Sequence, residues 1–293
     1  MADKGSLADM TGRVCVVTGA SRGIGRATAQ GLAALGATLV LVCRRLEDGE
    51  EVARGIAAEY AAPPARVVEA DLSSQRSVRD AADVIRSAYA QVHVLINNAG
   101  LIPKQRETTV DGLEVQFAVN HLAYFLLTNL LLDRLVESAP SRVVSVSSGA
   151  HQGGRLDFGD LQSERRYDPV RVYGRTKLAN VLFTYELARR LMGTGVTANC
   201  LHPGVVATKL MADYMNVPLV GGAIARTFGG STDKGAETSV YLAASREVEG
   251  VTGGYFVGRR ETRSSPASYD TALQQRLWEE SARLTALTAA TAP

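Results

Sequence analysis

The chain has 293 residues, 46% apolar and 21% charged, with a formal net charge of +2. That balance lies within the globular range and excludes a disordered or strongly basic chain. No basic block interleaved with aromatics supports nucleic-acid binding. No uncharged apolar stretch reaches the ~18 residues a membrane span needs, and the start, MADKGSLADMTGR, has acidic residues and no apolar h-region. The expectation is a cytoplasmic protein with no membrane span, acting on small molecules.

Residues 13–18 form a β-branched apolar run that ends directly in Gly19, Ala20, Ser21, Arg22, Gly23, Ile24 and Gly25, and residues 26–35 have helical character. Strand, glycine turn and helix follow one another. Glycines at this point let the backbone turn sharply and approach a pyrophosphate, which the free N–H groups and dipole of the helix N-terminus favour. Residues 36–43 read as the second strand, and Arg44 and Arg45 stand just beyond it. A carboxylate there suits the ribose 2′-OH of NAD, whereas arginines suit a 2′-phosphate; Arg22 can approach the same group.

A helix over 46–60 stops at Pro63 and Pro64, and a third strand, 65–70, ends in Asp71 and Leu72. Ser73 or Ser74 can cap the next helix; Asp71 either caps it as well or accepts from an adenine amino group. Residues 92–96 are the fourth strand, and Asn97, Asn98, Ala99 and Gly100 turn the chain beyond it. A long, largely buried helical stretch is predicted over 108–137, interrupted by the polar Asn120. The fifth strand, 142–148, ends in Ser147 and Ser148, at the usual ligand edge of an open α/β sheet. After a polar excursion over 149–170, Tyr173 and Lys177 lie four residues apart on a helix, one turn from each other, and address one small volume.

Residues 195–201 are the sixth strand, followed by His202, Pro203, Gly204, Val206 and Thr208. The segment 209–235, apolar and with paired glycines at 221/222 and 229/230, reads as a lid over an apolar substrate. A helix at 238–244, a seventh strand at 253–257 and a final amphipathic helix at 269–287 with Trp278 complete the chain. Cys15, Cys43 and Cys200 are far apart in strand-like runs, so they read as buried free thiols, and the four histidines show no paired ligand spacing, so no metal is expected. The fold class is α/β: a single-domain, Rossmann-type, doubly wound parallel sheet of seven strands in the order 3-2-1-4-5-6-7, with helices on both faces. Residues 1–12 are an arm, 13–258 the dinucleotide-binding and catalytic domain, and 259–293 a C-terminal extension of the same domain.

Thr18-Gly19-x-x-x-Gly23-x-Gly25, Asn97 to Gly100, Asn120, Ser148 and Tyr173-x-x-x-Lys177, in that order, resemble the short-chain dehydrogenase/reductase family over residues 10–258. Residues 161–167 and 177–184, His202-Pro203-Gly204 and Arg276-Leu277-Trp278 are similar to the retinol dehydrogenase group. Two departures stand out. The N-terminal anchoring segment common in that group is not seen, which implies a soluble relative. The gap from Ser148 to Tyr173 exceeds the family's usual dozen or so residues, matches that branch, and leaves Ser147 as a second candidate serine.

The resemblance implies NADP(H) as cofactor, held by Gly19, Ser21, Arg22, Gly23, Ile24, Gly25, Arg44, Arg45, Asp71, Leu72, Asn98, Ala99, Gly100, Asn120, Tyr173, Lys177, Pro203, Gly204, Val206 and Thr208. It implies Asn120, Ser148, Tyr173 and Lys177 as catalytic residues, with Tyr173 exchanging the proton, Lys177 acidifying the phenol and holding the nicotinamide ribose, Ser148 orienting the carbonyl, and Asn120 positioning a relay water. The activity implied interconverts an aldehyde or ketone with an alcohol on an apolar substrate, retinal/retinol-like or otherwise lipophilic. It also implies a homodimer or homotetramer through the helices at 108–137 and 171–192, unless the C-terminal helix covers that face. Two rival readings are an NADP-binding sensor without turnover and an extended-branch epimerase or dehydratase, the latter disfavoured by its different glycine turn and larger substrate domain.

Overall fold

A computed structural model describes residues 7–60, 62–204 and 231–287. Its framework is an eight-stranded sheet ordered β3-β2-β1-β4-β5-β6-β7-β8. The strands are β1 (Val14–Thr18), β2 (Thr38–Cys43), β3 (Arg66–Glu69), β4 (Val94–Asn97), β5 (Ser141–Val146), β6 (Val196–His202), β7 (Tyr255–Val257) and β8 (Arg260–Glu261). The first seven pair in parallel, in the expected order. The expected seven strands gain an eighth, antiparallel to β7. Gly258 (φ 56) and Arg259 (φ 66) form the two-residue turn between them, the backbone that a tight hairpin requires.

Because successive strand residues face opposite sides, β1 sends Val14 and Val16 to one core and Cys15 and Val17 to the other. The first core packs against α3 (Gln75–Ala88), α5 (Ala123–Leu130), α6 (Leu132–Glu137), α7 (Pro169–Arg190) and α9 (Thr271–Leu284); the second packs against α1 (Gly23–Ala33), α2 (Leu46–Glu59) and α8 (Thr232–Ala244). Covered faces explain why the strands read as near-continuous apolar runs. Cys15, Cys43 and Cys200 are buried and free.

Three predicted elements are redrawn. The stretch 108–137 is not one helix: Thr108 bridges to Glu114 around a turn at Gly112 (φ 76). The Glu114 carboxylate caps α4 (Val115–Phe117) by accepting from the N–H groups of Gln116 and Phe117. A π-helical turn, Ala118–Leu122, separates α4 from α5. The supposed lid overlaps helix: its part at 209–230 lies outside the described residues, whereas Ser231 caps α8 and residues 232–235 are its first turn. The last helix begins only after a 3-10 turn, Pro266–Tyr269, with Asp270 as its cap.

The C-terminal extension packs firmly on the sheet's helices. Trp278, on α9, stacks on Phe183 of α7 at 5.9 Å and meets Phe125 of α5 edge-on at 4.9 Å. His121 reaches Ser281 Oγ at 2.9 Å. Among the described residues, no helix is long and apolar enough to cross a membrane.

Candidate functional site

Parallel strands bring their carboxyl ends to one edge of the sheet, and the motif residues gather there. The glycine turn is stapled to the end of β4. Thr18 Oγ1 accepts from the N–H groups of Asn98 and Ala99 and donates to the Ile96 carbonyl, while Asn98 Nδ2 donates to the carbonyls of Thr18 and Gly19. The Asn98 side chain is therefore spent on holding the turn.

The fit of this turn to a pyrophosphate follows from its geometry. A methyl group on Gly25 would come within 2.2 Å of the Gly19 carbonyl oxygen and 2.5 Å of Asn98 Nδ2, so only glycine lets α1 start this close to β1. Gly23, at φ 57, has open space where a Cβ would be. Arg22, the N-cap of α1, supplies no side-chain cap, and the first turn holds no acid. By contrast α3, α7, α8 and α9 are all capped by a serine or an aspartate. Free N–H groups and an uncompensated dipole at α1 suit an anionic ligand.

Beyond β2, Arg44 and Arg45 are both exposed, as is Arg22. Arg45 reaches Glu47 and Asp48 at 3.8 and 3.7 Å, whereas Arg22 and Arg44 make no ion pair among the described residues. Asp71 Oδ1 accepts from Ser73 N and Oγ, and Ser74 caps α3, which decides between the two serines. Leu72 is half-buried against the core. Pro203 and Gly204 (φ 84) follow β6 at the same edge, and Val206 and Thr208 lie outside the described residues.

The second cluster is built on α7. Asp168 caps it, accepting from the N–H groups of Val170 and Arg171, and Pro169 opens it. One turn apart, Tyr173 and Lys177 converge as their spacing requires: Lys177 Nζ lies 5.5 Å from the centre of the Tyr173 ring. The Ser148 hydroxyl lies near the Tyr173 phenol and favours its ionised form. Ser147 is placed otherwise, fully buried with its hydroxyl donating to the Lys177 carbonyl at 2.8 Å. β5 stops at Val146 rather than at 148, and its last carbonyl accepts from Lys177 Nζ at 2.9 Å.

Asn120 sits in the π-helical turn, a bulge type frequent at functional sites. Its amide is fully engaged. Oδ1 accepts from Leu101 N at 2.8 Å, and Nδ2 donates to the Leu101 carbonyl and to Thr176 Oγ1. Both amide hydrogens are thus used, so the side chain pins the segment after Gly100 to α7 and has no donor left for a relay water. Gly100 lies against this cluster, since a methyl group there would stand 3.4 Å from Asn120 Oδ1 and 3.7 Å from Lys177 Nζ.

Burial governs the titration of both α7 groups. It pushes the Tyr173 phenol up to about 12, opposed only by the nearby Ser148 hydroxyl. It also lowers Lys177 to about 7. Each charged form loses water, and here that loss outweighs any pull of the ammonium on the phenol.

Sequence reading missed two neighbours. Tyr124 donates to the Ala99 carbonyl at 2.8 Å and lays its ring 5.6 Å from Lys177 Nζ, about as near as that of Tyr173. Its signal was available, because Tyr124 follows Asn120 by four residues and so shares its helix face. His151, fully buried, bonds the Ser148 carbonyl at 2.7 Å and carried no spacing signal.

A doubly wound sheet with an uncapped glycine turn and a Ser/Tyr/Lys cluster at one edge defines a nucleotide-binding α/β class. Within it, the profile of the short chain dehydrogenase family matches residues 13–216, and this chain belongs to that family. It is 44% identical to mouse retinol dehydrogenase 13 over 288 residues, covering 96% of this chain and 86% of the mouse protein. Human retinol dehydrogenase 14 is 44% identical over 287 residues, covering 92% and 85%. Among solved structures, an uncharacterised protein from Mycobacterium paratuberculosis superimposes with TM-score 0.78 at 35% identity, covering 96% of each chain. The Pseudomonas aeruginosa RhlG/NADP active-site complex gives TM-score 0.69 at 27% identity, covering 85% of this chain and 95% of that one. The chain is an oxidoreductase of the short-chain type, related to the retinol dehydrogenases.

Proposed function

We propose that the protein interconverts a carbonyl and an alcohol on an apolar small molecule, using NADP(H). The carrying observation is the convergence of Ser148, Tyr173 and Lys177 beside the uncapped glycine turn. The NADP complex of the Pseudomonas neighbour supports the cofactor, as do the exposed Arg22 and Arg44, without an ion pair among the described residues, which suit a 2′-phosphate. The name shared by the curated relatives, retinol dehydrogenase, supports an apolar alcohol or aldehyde as substrate.

In this reading Gly19, Ser21, Gly23, Ile24 and Gly25 hold the pyrophosphate, Asp71 and Leu72 flank the adenine, and Ala99 and Gly100 run along the nicotinamide ribose. Bound there, the cofactor supplies the hydride to the carbonyl carbon, or takes it from the alcohol. Ser148 donates a hydrogen bond to the carbonyl oxygen and orients it toward Tyr173. The Tyr173 phenol gives its proton to that oxygen as negative charge develops. Lys177, whose ammonium lies beside the ring, stabilises the phenolate left behind and bonds the ribose hydroxyls. Asn120 positions this assembly by tying α7 to the Gly100 segment. Residues 259–293 act in the same domain, with α9 sealing the helix face behind the site.

Purified protein mixed with NADPH and a panel of apolar aldehydes and ketones, retinal included, tests the reading. Loss of reduced-nicotinamide absorbance with at least one member is expected. NADPH binding without turnover across the panel would favour the sensor instead.

A further inference from the structure

We propose that His151 is a positioning residue that ties the Ser148 segment to the C-terminal extension, so that residues 259–287 set where the Ser148 hydroxyl stands. The inference rests on the catalytic role proposed for Ser148.

His151 lies in the 3-10 turn Gly149–Gly153 directly after Ser148. Its two ring nitrogens face two backbone groups. Nδ1 is 2.7 Å from the Ser148 carbonyl, and Nε2 is 3.0 Å from the Ser265 N–H. A backbone N–H can only donate, so Nε2 is the acceptor and the proton sits on Nδ1, donated to Ser148. One neutral tautomer satisfies both partners, and burial of the ring favours that neutral form. The ring is further held against Tyr255, centre to centre at 4.7 Å.

The far end of this bridge returns to α7. Ser264 Oγ bonds Tyr185 Oη at 2.7 Å and Ser268 Oγ at 2.6 Å, and Ser268 Oγ donates to the Ser265 carbonyl. Gln274 of α9 then donates to the Ser268 carbonyl at 2.8 Å. Tyr185 stands on α7 about three turns beyond Tyr173. The chain of contacts Ser148, His151, Ser265, Ser264, Tyr185 therefore closes on the helix that carries Tyr173 and Lys177. It fixes Ser148 relative to the Tyr173 phenol from the side away from the sheet, whose last bond to this strand is Ser147 N–H to the Leu201 carbonyl at 2.8 Å. An apolar ring at 151 would fill the same volume, leave the Ser265 N–H unpartnered and leave the Ser148 carbonyl only the His151 backbone N–H at 3.1 Å.

Steady-state kinetics with an aldehyde that the wild type reduces, alongside NADPH affinity from fluorescence titration, test the bridge in Ser148→Ala, His151→Phe, His151→Gln, Ser265→Pro and the His151→Phe/Ser265→Pro pair. Ser265 has φ −62, which proline adopts, so that variant removes the N–H without straining its own φ. His151→Phe and Ser265→Pro should each lower kcat roughly tenfold or more, as small misplacements of reacting groups do, with NADPH affinity within about twofold of wild type. His151→Gln, which keeps a donor and an acceptor, should recover part of the loss. The double variant should be no worse than the poorer single, because both break one bridge. Retention of wild-type kcat by both His151→Phe and Ser265→Pro, or additive losses in the pair, would overturn the proposal. Should His151→Phe fail to fold, the kcat of Ser265→Pro decides alone. A Ser148→Ala variant with undiminished kcat would instead remove the reading of Ser148 itself, which keeps the two failures distinct.

Discussion

Tyr173 and Lys177 are held where each loses by becoming charged, and that cost makes both roles measurable. Tyr173→Phe removes only the proton that the carbonyl oxygen needs; turnover should fall below a thousandth of wild type, an effect of the size expected for a lost general acid, while NADPH binding survives. Fluorescence titration beside turnover assays checks the pair of outcomes. Lys177 titrates at about 7 in the folded protein, against ~10.4 in an unfolded chain. Between those values the unfolded chain holds a proton that the folded one has lost, so stability of the unliganded protein rises with pH across that window. Below about 7 both forms are protonated and the burial penalty is complete. Lys177→Met should therefore abolish turnover yet raise the melting temperature near pH ~6, a gain that shrinks toward pH ~10. A gain independent of pH, or a loss near pH ~6, would show that burial of the ammonium is not the dominant cost. Arg44 stands exposed beyond β2 without an ion pair among the described residues. Arg44→Asp combined with Arg22→Ala should shift preference from NADPH toward NADH by roughly tenfold or more, as one to two charge-assisted bonds require. Unchanged relative KM values would place the 2′-phosphate elsewhere.

The elements that matter most are those whose backbones approach too closely for a side chain. Gly25 lets α1 start against β1, and Gly174 lets α7 lie on the turn beyond Ser148: a methyl group there would stand 2.9 Å from the Ala150 carbonyl oxygen. Gly174→Ala has to push that turn away from α7 and with it Ser148 from Tyr173. A stability loss of about 1–3 kcal/mol is expected from overpacking, with a larger proportional loss in kcat than in NADPH affinity; denaturant unfolding and kinetics separate the two. The predicted helix over 108–137 fails at this scale for a local reason. Its apolar content is real, but the Gly112 turn and the Glu114 cap delay the helix to Val115, and the π-helical turn at Asn120 then re-aims α5. Periodicity detects a buried helix well and a change of helix type poorly, since one extra residue in a turn leaves the apolar pattern almost intact.

At the scale of the molecule, α9 decides which surfaces are available. Trp278 closes over Phe125 and Phe183, and the Arg190 guanidinium covers its ring at 4.3 Å. Trp278→Ala should cost about 3–5 kcal/mol, read as a lowered denaturant midpoint. A chain ending before Thr271 should expose this apolar face and self-associate in light scattering, whereas the intact chain should not pair through α5 and the Phe183 stretch of α7. Intact protein that dimerises through those residues, detected by cross-linking from Phe125 or Phe183 positions, would contradict the sealed face.

Much of this was legible in the chain itself. Alternating strand and helix signals, the strand order and the gathering of glycines, Asn98, Ser148 and Gly204 at strand ends follow from short-range periodicity and the right-handed crossover of parallel strands. The juxtaposition of Tyr173 and Lys177 follows from 3.6 residues per turn. What only the tertiary structure decided are matters of partner and environment. Ser147 and Ser148 are indistinguishable in sequence until one hydroxyl meets the Lys177 carbonyl, 30 positions away, and the other is left near the phenol. Lys177 finds the Val146 carbonyl across 31 positions, and His151 finds Ser265 across 114. Desolvation and hydrogen-bond partnership depend on what the fold packs around a group, and that is set by residues far along the chain.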